Sequence, residues 1–313
     1  MRVFIKNNMS PGDILMLTAA VRDLKNTVSN IHIGVGTSFM DLWDNNPNID
    51  WDVTEDNADQ VIYADYPLYK KNNILPYHFI HGFRKNLEDA LQFHIEQGEF
   101  RADVYLSEQE KDRSWVNTVL GTASPYWIIN AGSKRDFTIK QWDPMRYQEV
   151  VNLTKGRITW VQIGHSDYQP ALKNVINMTG RTNIRQLCKL MYYASGVLTP
   201  VSFPMHLATM ETPVPGSKRP CVVIAGGREP SQWEAYTTHK FLHNCGCYPC
   251  NREGGCWLSR VVPLNDGTRH DKLLCKMPVT VKTGFKMAQC MADITVDNVV
   301  EAIDSCIKYP LLY

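Results

Sequence analysis

Residues 198–209 read L-T-P-V-S-F-P-M-H-L-A-T and lead from an apolar stretch into a predicted helix. Ser202 is a favourable helix N-cap residue, and Pro204 fits a first helical turn because its missing N–H group has no intrahelical partner there. His206 would then lie beside unpaired N–H groups and the positive end of the helix dipole. Such a junction can bind a phosphate group. The alternative is an ordinary strand–helix junction with a structural histidine.

The composition is that of a globular protein large enough for two domains. The chain has 313 residues, of which 44% are hydrophobic and 21% are charged, as in soluble folded proteins. A formal net charge of +1 gives no overall attraction to nucleic acid or an anionic membrane. The N-terminus turns polar too early for a signal peptide, and no apolar run approaches the length of a membrane span. We therefore predict a cytoplasmic protein without a transmembrane segment.

Strand and helix patterns alternate through the first part of the chain. The predicted strands cover residues 2–6, 30–35, 51–53, 59–64 and 102–106. The predicted helices cover residues 13–24, 39–43, 77–95 and 107–120. Strands that alternate with helices indicate an α/β fold with a parallel, doubly wound sheet.

The pattern restarts after residues 121–125, G-T-A-S-P, and this segment is the predicted domain boundary. Later strands are expected at residues 126–130, 158–163 and 221–225, and helices at 144–153, 183–194 and 295–307. We therefore predict two Rossmann-like domains, residues 1–122 and 123–313.

Polar residues collect where these strands end, which is where ligands bind in open α/β sheets. They are Gly12-Asp13, Gly132-Ser133-Lys134 and residues 164–167, 202–206 and 226–229. No G-x-G-x-x-G follows the first strand, and the chain has no P-loop. A tightly bound dinucleotide is therefore not expected.

Five motifs, in this order and spacing, resemble the heptosyltransferase family of GT-B glycosyltransferases. They are M-R-V-F-I-K-N-N-M-S-P-G-D-I-L at the N-terminus, I-I-N-A-G-S with K-Q-W-D-P-M-R-Y, W-V-Q-I-G-H-S-D, T-G-R-T-N-I-R-Q-L and P-M-H-L-A. The resemblance implies two Rossmann domains facing a cleft, with the nucleotide-sugar on the C-terminal domain and the acceptor on the N-terminal one. It also implies a last helix that packs back onto the first domain, and inverting transfer without a catalytic divalent metal.

The resemblance assigns roles to several residues. Asp13 matches the general base of the family, although a Pro-Gly-Asp sequence also suggests the N-cap of the first helix. Lys140 matches a lysine that binds the donor phosphates; a solvated lysine before a helix is the alternative, and Lys134 competes for the role. Asp167 corresponds to an acid directed toward the ribose. The expected donor-binding residues are Lys140, Ser133, Lys134, Asp167, Ser202, His206 and Gly227.

The chain departs from the family pattern in its central motif. The family has Asp-Ser/Thr-Gly-x-x-His, and here Val201 and Phe203 stand at the aspartate and glycine positions while Ser202 and His206 are retained. The donor site loses a carboxylate and gains bulk. This leaves two hypotheses open: a glycosyltransferase with an altered donor, or a non-catalytic GT-B-like binding protein with a structural metal site.

Cysteines are concentrated in an insert at residues 243–290, which contains six of the nine. In a reducing compartment such a cluster favours a metal over disulfides. Cys247 and Cys250 have the spacing of a metal knuckle, and the insert resembles a protein-modifying branch of the family with cysteine-bound metal. We predict structural zinc or iron on Cys250, Cys256, Cys275 and Cys290, with Cys247 as a substitute ligand. The alternative is a set of buried thiols, as expected for Cys188, Cys221 and Cys306.

The expected donor is a nucleoside-diphosphate sugar, preferably an ADP-sugar carrying heptose or a hexose. The acceptor hydroxyl could belong to a glycan, a protein or a modified DNA base. DNA would need a basic, aromatic-lined surface; the candidate residues are Tyr63, Tyr66, Tyr69, Lys70, Lys71, Arg84 and Lys85. An exposed loop of no special function is the alternative.

Overall fold

The computed structural model describes residues 1–65, 77–132, 135–165, 167, 169–244, 250, 256–263 and 274–308. Its first sheet contains β1 (Arg2–Asn7), β2 (His32–Thr37) and β3 (Gln60–Tyr63), in the order β2-β1-β3. Both pairings are parallel. Alternate residues of β1 are buried, so its Val3 and Ile5 face the core.

Three α-helices among the described residues belong to the same half of the chain. They are α1 (Pro11–Thr27), α2 (Phe79–Leu91) and α3 (Ser114–Leu120), with short 3-10 helices at Met40–Trp43 and Glu55–Asn57. The α1 helix is buried along most of its length because it contacts the sheet, α2 and the second half of the chain. Its rigid first turn therefore lies between the two halves.

The second sheet has six parallel strands in the order β6-β5-β4-β7-β8-β9. They are β4 (Trp127–Ile129), β5 (Trp160–Gln162), β6 (Ile176–Asn177), β7 (Gly196–Pro200), β8 (Cys221–Gly226) and β9 (His239–His243). Every residue of β4, β5, β7 and β8 is buried. Such continuously apolar strands are typical of parallel sheets covered on both faces.

The helices of the second half are α4 (Pro144–Leu153), α5 (Ile184–Tyr193), α6 (Phe203–Leu207), α7 (Ser231–Glu234), α8 (Gln289–Ala292) and α9 (Val296–Lys308). A 3-10 helix covers Arg135–Lys140, and β10 (Pro278–Thr280) pairs antiparallel with β11 (Lys286–Ala288). Within the described ranges, no helix is long and apolar enough to span a membrane.

The predicted alternation of strands and helices is confirmed, but three predicted elements are wrong. Residues 51–53 form a turn that closes with a 2.9 Å bond from Val53 N to Asp50 O. Residues 102–106 are outside both sheets because side chains bind their amides: Thr209 Oγ1 accepts from Ala102 N, and Thr18 Oγ1 accepts from Asp103 N. The helix predicted at 107–120 begins only at Ser114.

The last helix also differs from the expectation. Instead of packing on the first half, α9 lies against α4 and β8 of the second. Its Val299, Ile303 and Cys306 join the core around Trp142. Arg157 and Asp304 form an ion pair of 2.6 Å on the outer surface of this contact.

The two halves are tied together around α1 and α5. Helix α1 packs against α6, and the largest apolar cluster contains residues of both halves. Arg185 of α5 forms an ion pair of 2.5 Å with Glu110 and donates to Tyr105 O at 2.7 Å. The predicted packing roles of Cys188 and Cys221 are confirmed, since both side chains are fully buried.

Candidate active site

A cavity of about 630 Å³ lies between the first turn of α1 and the carboxyl ends of the second sheet. Four of the predicted site residues line it: Asp13, Lys140, Ser202 and His206. The fold brings them together because β7 leads into α6, and α6 packs against α1. Residues separated by almost two hundred positions therefore face one space.

The other predicted donor-binding residues lie elsewhere. Asp167 is exposed next to His165 and does not line the cavity. Gly227 is buried behind the cavity wall, where its carbonyl oxygen is 3.9 Å from Cys256 Sγ. Ser133 and Lys134 fall outside the described residues.

Asp13 is the third residue of α1, and Ser10 occupies the N-cap position that the alternative interpretation gave to Asp13. The Ser10 N–H donates to Asp13 Oδ2 at 3.0 Å. Carboxylates are stabilised in a first helical turn by the dipole and the unpaired N–H groups. The helix start therefore fixes the orientation of this carboxylate at the cavity wall.

The central motif folds as a strand followed by a one-turn helix. Ser202 occupies the N-cap position of α6, as predicted, but its hydroxyl forms no capping bond. It lies 3.0 Å from Thr199 Oγ1, contacts Pro200 O at 3.1 Å and accepts from Asn130 Nδ2 at 3.3 Å. This network fastens the turn to β4 and β7.

His206 is a buried contact between the two halves. Its Nδ1 is 2.9 Å from Tyr236 Oη, and its Nε2 is 3.7 Å from Glu234 Oε2. A Cβ added at Gly12 would lie 3.0 Å from His206 Cδ2, so only glycine fits this close approach comfortably. Burial, with smaller contributions from His239 and Lys140, lowers the pKa of His206 to about 3. The imidazole is therefore neutral at pH 7.

Two buried glutamates line the cavity: Glu229, which belongs to the strand-end stretch 226–229, and Glu234, to which the sequence assigned no role. Burial first, and then the charge of Glu229, raise the pKa of Glu234 well above its usual value. The environment of Glu234 therefore favours the protonated form of its carboxyl group, next to the neutral imidazole of His206.

Glu229 holds two cations. Its Oε1 is 2.7 Å from Lys140 Nζ and also pairs with Arg228. Lys140 donates to Val201 O at 3.3 Å, and Arg228 donates to Ser259 O at 2.7 Å. The two cations thus reach the cavity already sharing one carboxylate.

The segment after Cys256 completes the wall. Trp257, Leu258 and Arg260 line the cavity, although the sequence assigned them no role. The segment is attached to the 3-10 helix at Arg135–Lys140, because Ile139 N donates to Arg260 O at 3.0 Å. The cysteine insert is therefore continuous with the site.

The four predicted cysteine ligands influence one another electrostatically. Burial first, and then the neighbouring thiols of Cys250, Cys290 and Cys275, raise the pKa of Cys256. Burial likewise raises the pKa of Cys290 to about 11. Among the described residues, however, no three Cys, His, Asp or Glu side chains converge closely enough to hold a metal ion. Cys247 lies outside the described residues.

The predicted basic and aromatic surface is only partly described. Tyr63 is exposed with Lys6 over its ring, Lys85 pairs with Asp89 at 2.6 Å, and Arg84 lies 3.8 Å from the buried Asp23. Arg84 is therefore directed inward rather than toward a polyanion. Four candidates, Tyr66, Tyr69, Lys70 and Lys71, lie outside the described residues.

Lowering the pH from 7 to 5 is expected to destabilise the fold by about 2–4 kcal/mol. Burial lowers the pKa of His78, His206 and His239, the last to about 3. The unfolded chain takes up these protons below about pH 6.5 and the folded chain does not, so stability falls with pH. Glu234, whose pKa is raised, holds its proton more tightly in the folded state and offsets part of this loss. Urea unfolding at both pH values measures the effect.

His239→Gln should lower the number of protons taken up on unfolding by about one, because it removes one of these buried imidazoles. Equal stability of the parent protein at pH 7 and 5 would contradict the burial of neutral histidines.

Comparison with protein families identifies the chain. The family described as glycosyltransferase family 9 (heptosyltransferase) matches residues 71–254, more than half of the sequence. The chain belongs to this family. It is thus a nucleotide-sugar-dependent glycosyltransferase, and the resemblance inferred from the five motifs is confirmed. A comparison with curated proteins found no match.

Solved structures share the fold of this family 9 protein over nearly its whole length. A glycosyl transferase family 9 protein from Veillonella parvula is 15% identical, with a TM-score of 0.68 over 98% of this chain and 97% of its own. The E. coli ADP-heptose lipopolysaccharide heptosyltransferase II is 13% identical, with a TM-score of 0.61 over 98% and 99%. The iron-containing dodecameric glycosyltransferase TibC from enterotoxigenic E. coli is 19% identical, with a TM-score of 0.65 over 98% and 78%. The predicted GT-B fold is confirmed.

Proposed function

We propose that this glycosyltransferase transfers a heptose or hexose from an ADP-sugar to an acceptor hydroxyl, with inversion at the anomeric carbon. The observation that carries the proposal is the placement of Asp13 on the same cavity as Lys140 and Arg228. One wall thus offers a carboxylate and the other offers cations. TibC has been solved with ADP-D-β-D-heptose, and this supports the choice of donor.

In the proposed step, Asp13 accepts the proton of the acceptor hydroxyl as its oxygen attacks the anomeric carbon. The new C–O bond forms on one face while the bond to the diphosphate breaks on the other, and the electron pair leaves with the diphosphate. Positioned proton transfer contributes about 10²–10⁴ to the rate. Lys140 and Arg228 stabilise the leaving group as its negative charge grows.

The remaining assignments are part of the same proposal. Residues 123–313 form the donor domain and residues 1–122 the acceptor domain. Ser202 and neutral His206 shape the donor pocket, and Ser133 and Lys134 contribute to it as the family resemblance implies. Asp167 and Gly227 do not line the cavity, so their donor-binding role rests on the family resemblance alone. Because His206 is buried and neutral, we expect it to keep the pocket in shape through its contacts and not to neutralise the charge of the phosphates.

A panel of ADP-, UDP- and GDP-sugars tests the donor. The melting temperature should rise most with the ADP-sugar, because a ligand that binds only the folded state stabilises it according to its concentration and affinity. Labelled donor is then offered with a glycan core, a protein and a hydroxymethylated DNA duplex. Failure of every nucleotide-sugar to shift the melting temperature would refute the proposal.

A structural metal on the cysteine insert is a separate part of the proposal. Thiolates are suitable ligands for zinc or iron, and TibC is iron-containing. A metal would have to bring these thiols closer together than their described positions. The cysteines would hold the insert against the cavity wall that Trp257 and Arg260 form. The metal would contribute to folding, with no part in the transfer step.

Elemental analysis of untagged protein is expected to give about one zinc or iron atom per chain. Cys256→Ser should lower the metal content strongly, because it removes a thiol that interacts with the other three. Cys306→Ser is the matched control, since Cys306 packs in the core under α9. A content below about half an atom per chain in the parent protein would contradict the proposal.

A further inference from the structure

Arg260 occupies a fixed position at the cavity wall, three residues past the start of the wall segment at Trp257. Its carbonyl accepts from Ile139 N at 3.0 Å, and Val262 N donates to Thr138 Oγ1 at 2.8 Å. The neighbouring Ser259 carbonyl accepts from Arg228 Nε at 2.7 Å. Bonds on both sides of Arg260 therefore hold its backbone in place.

The three cations at this wall differ in their partners. Lys140 and Arg228 both pair with Glu229. In the part of the chain that the structure describes, Arg260 has no ion pair and its side chain donates no hydrogen bond. Its guanidinium carbon lies 5.0 Å from the centroid of the Phe137 ring. Asp136 also lines the cavity without pairing with it.

An unneutralised guanidinium in a half-enclosed cleft is suited to an anionic ligand. Its planar array of donors matches two phosphate oxygens at once, which a lysine ammonium cannot do. Arg228 offers a less complete array, because each of its three nitrogens already donates one hydrogen bond, to Glu229, Ser259 O and Trp257 O. Packing against Phe137 limits the conformations of Arg260, so less freedom is lost on binding.

We propose that Arg260 binds the diphosphate of the donor, so that the cysteine insert supplies a residue of the nucleotide-sugar site. The proposal rests on the function proposed above and extends it to a residue outside the five family motifs. Lys140 and Arg228 then contribute positive charge to the site, and Arg260 donates two parallel hydrogen bonds to the phosphate oxygens.

Calorimetric titration with ADP and with adenosine tests the assignment. Arg260→Gln should weaken ADP binding by about 10- to 100-fold, the value of one charge-assisted contact, while leaving adenosine binding unchanged. Arg260→Lys should recover part of the loss because it keeps the charge without the fork. Arg157→Gln, which removes a surface cation far from the cavity, is the matched control and should bind ADP like the parent protein.

Each outcome has a distinct meaning. If the parent protein binds ADP and Arg260→Gln binds it equally well, the role of Arg260 is refuted and the proposed function stands. An equal loss of ADP and adenosine binding in Arg260→Gln also refutes a diphosphate contact, because the nucleoside lacks phosphate. If the parent protein binds no nucleotide or nucleotide-sugar, the proposed function fails first.

Discussion

Replacing Asp13 by asparagine is expected to lower the rate of sugar transfer by about 10²–10⁴-fold and to leave ADP binding unchanged. Asparagine keeps the shape of the side chain and an oxygen that can accept from Ser10 N. It cannot take up a proton from the acceptor hydroxyl. The loss should therefore appear in kcat, measured as nucleotide release in the presence of acceptor, while calorimetry gives the parent affinity for ADP.

Asp143→Asn is the matched control for this substitution. Asp143 is the N-cap residue of α4, accepts from Met145 N at 2.9 Å and does not line the cavity. The Asp143→Asn variant should transfer sugar at the parent rate. Undiminished transfer by Asp13→Asn would reject Asp13 as the base, and equal losses in the two variants would indicate a defect of helix starts rather than of catalysis.

Arg219→Met is expected to lower the free energy of unfolding by about 3–5 kcal/mol. The Arg219 side chain is buried and donates to the carbonyls of Ala194, Ala208, Met210, Tyr192 and Glu211. These carbonyls lie at or just after the C-terminal ends of α5 and α6, so the guanidinium ties the ends of two helices together. Methionine fills much of the volume but leaves several buried acceptors without donors.

Urea unfolding measures this effect. Arg157→Met, which removes a partly exposed ion pair with Asp304, should change the free energy of unfolding by less than about 1 kcal/mol. A similarly small change for Arg219→Met would contradict this account. It would mean that water reaches the carbonyl oxygens and donates the hydrogen bonds that the guanidinium no longer provides.

The parts of the site that could be predicted from sequence are those fixed by local geometry. Strand ends and helix starts are visible in the chain, and parallel topology brings them to one edge of a sheet. This logic gathered Asp13, Ser202 and His206 around one cavity, and the family resemblance added Lys140. It also identified the helix Pro144–Leu153 at its observed limits.

Other features depend on tertiary contacts that no local pattern reveals. The sequence shows Arg228-Glu229 after a strand, but not that Glu229 is buried and shared with Lys140. The apolar stretch at 102–106 resembles a strand, yet Thr18 and Thr209 bind its amides and keep it out of the sheet. Cysteine spacing suggested a metal but gave no indication that Arg260 would reach the cavity.

A crystal structure with bound ADP-sugar tests the central claim most directly, since it needs no knowledge of the acceptor. We expect the diphosphate in the cavity, with oxygens about 2.7–2.9 Å from cationic nitrogens of that wall, and the anomeric carbon on the side of Asp13. Nucleotide bound outside this cavity, or a sugar directed away from Asp13, would contradict the proposed mechanism.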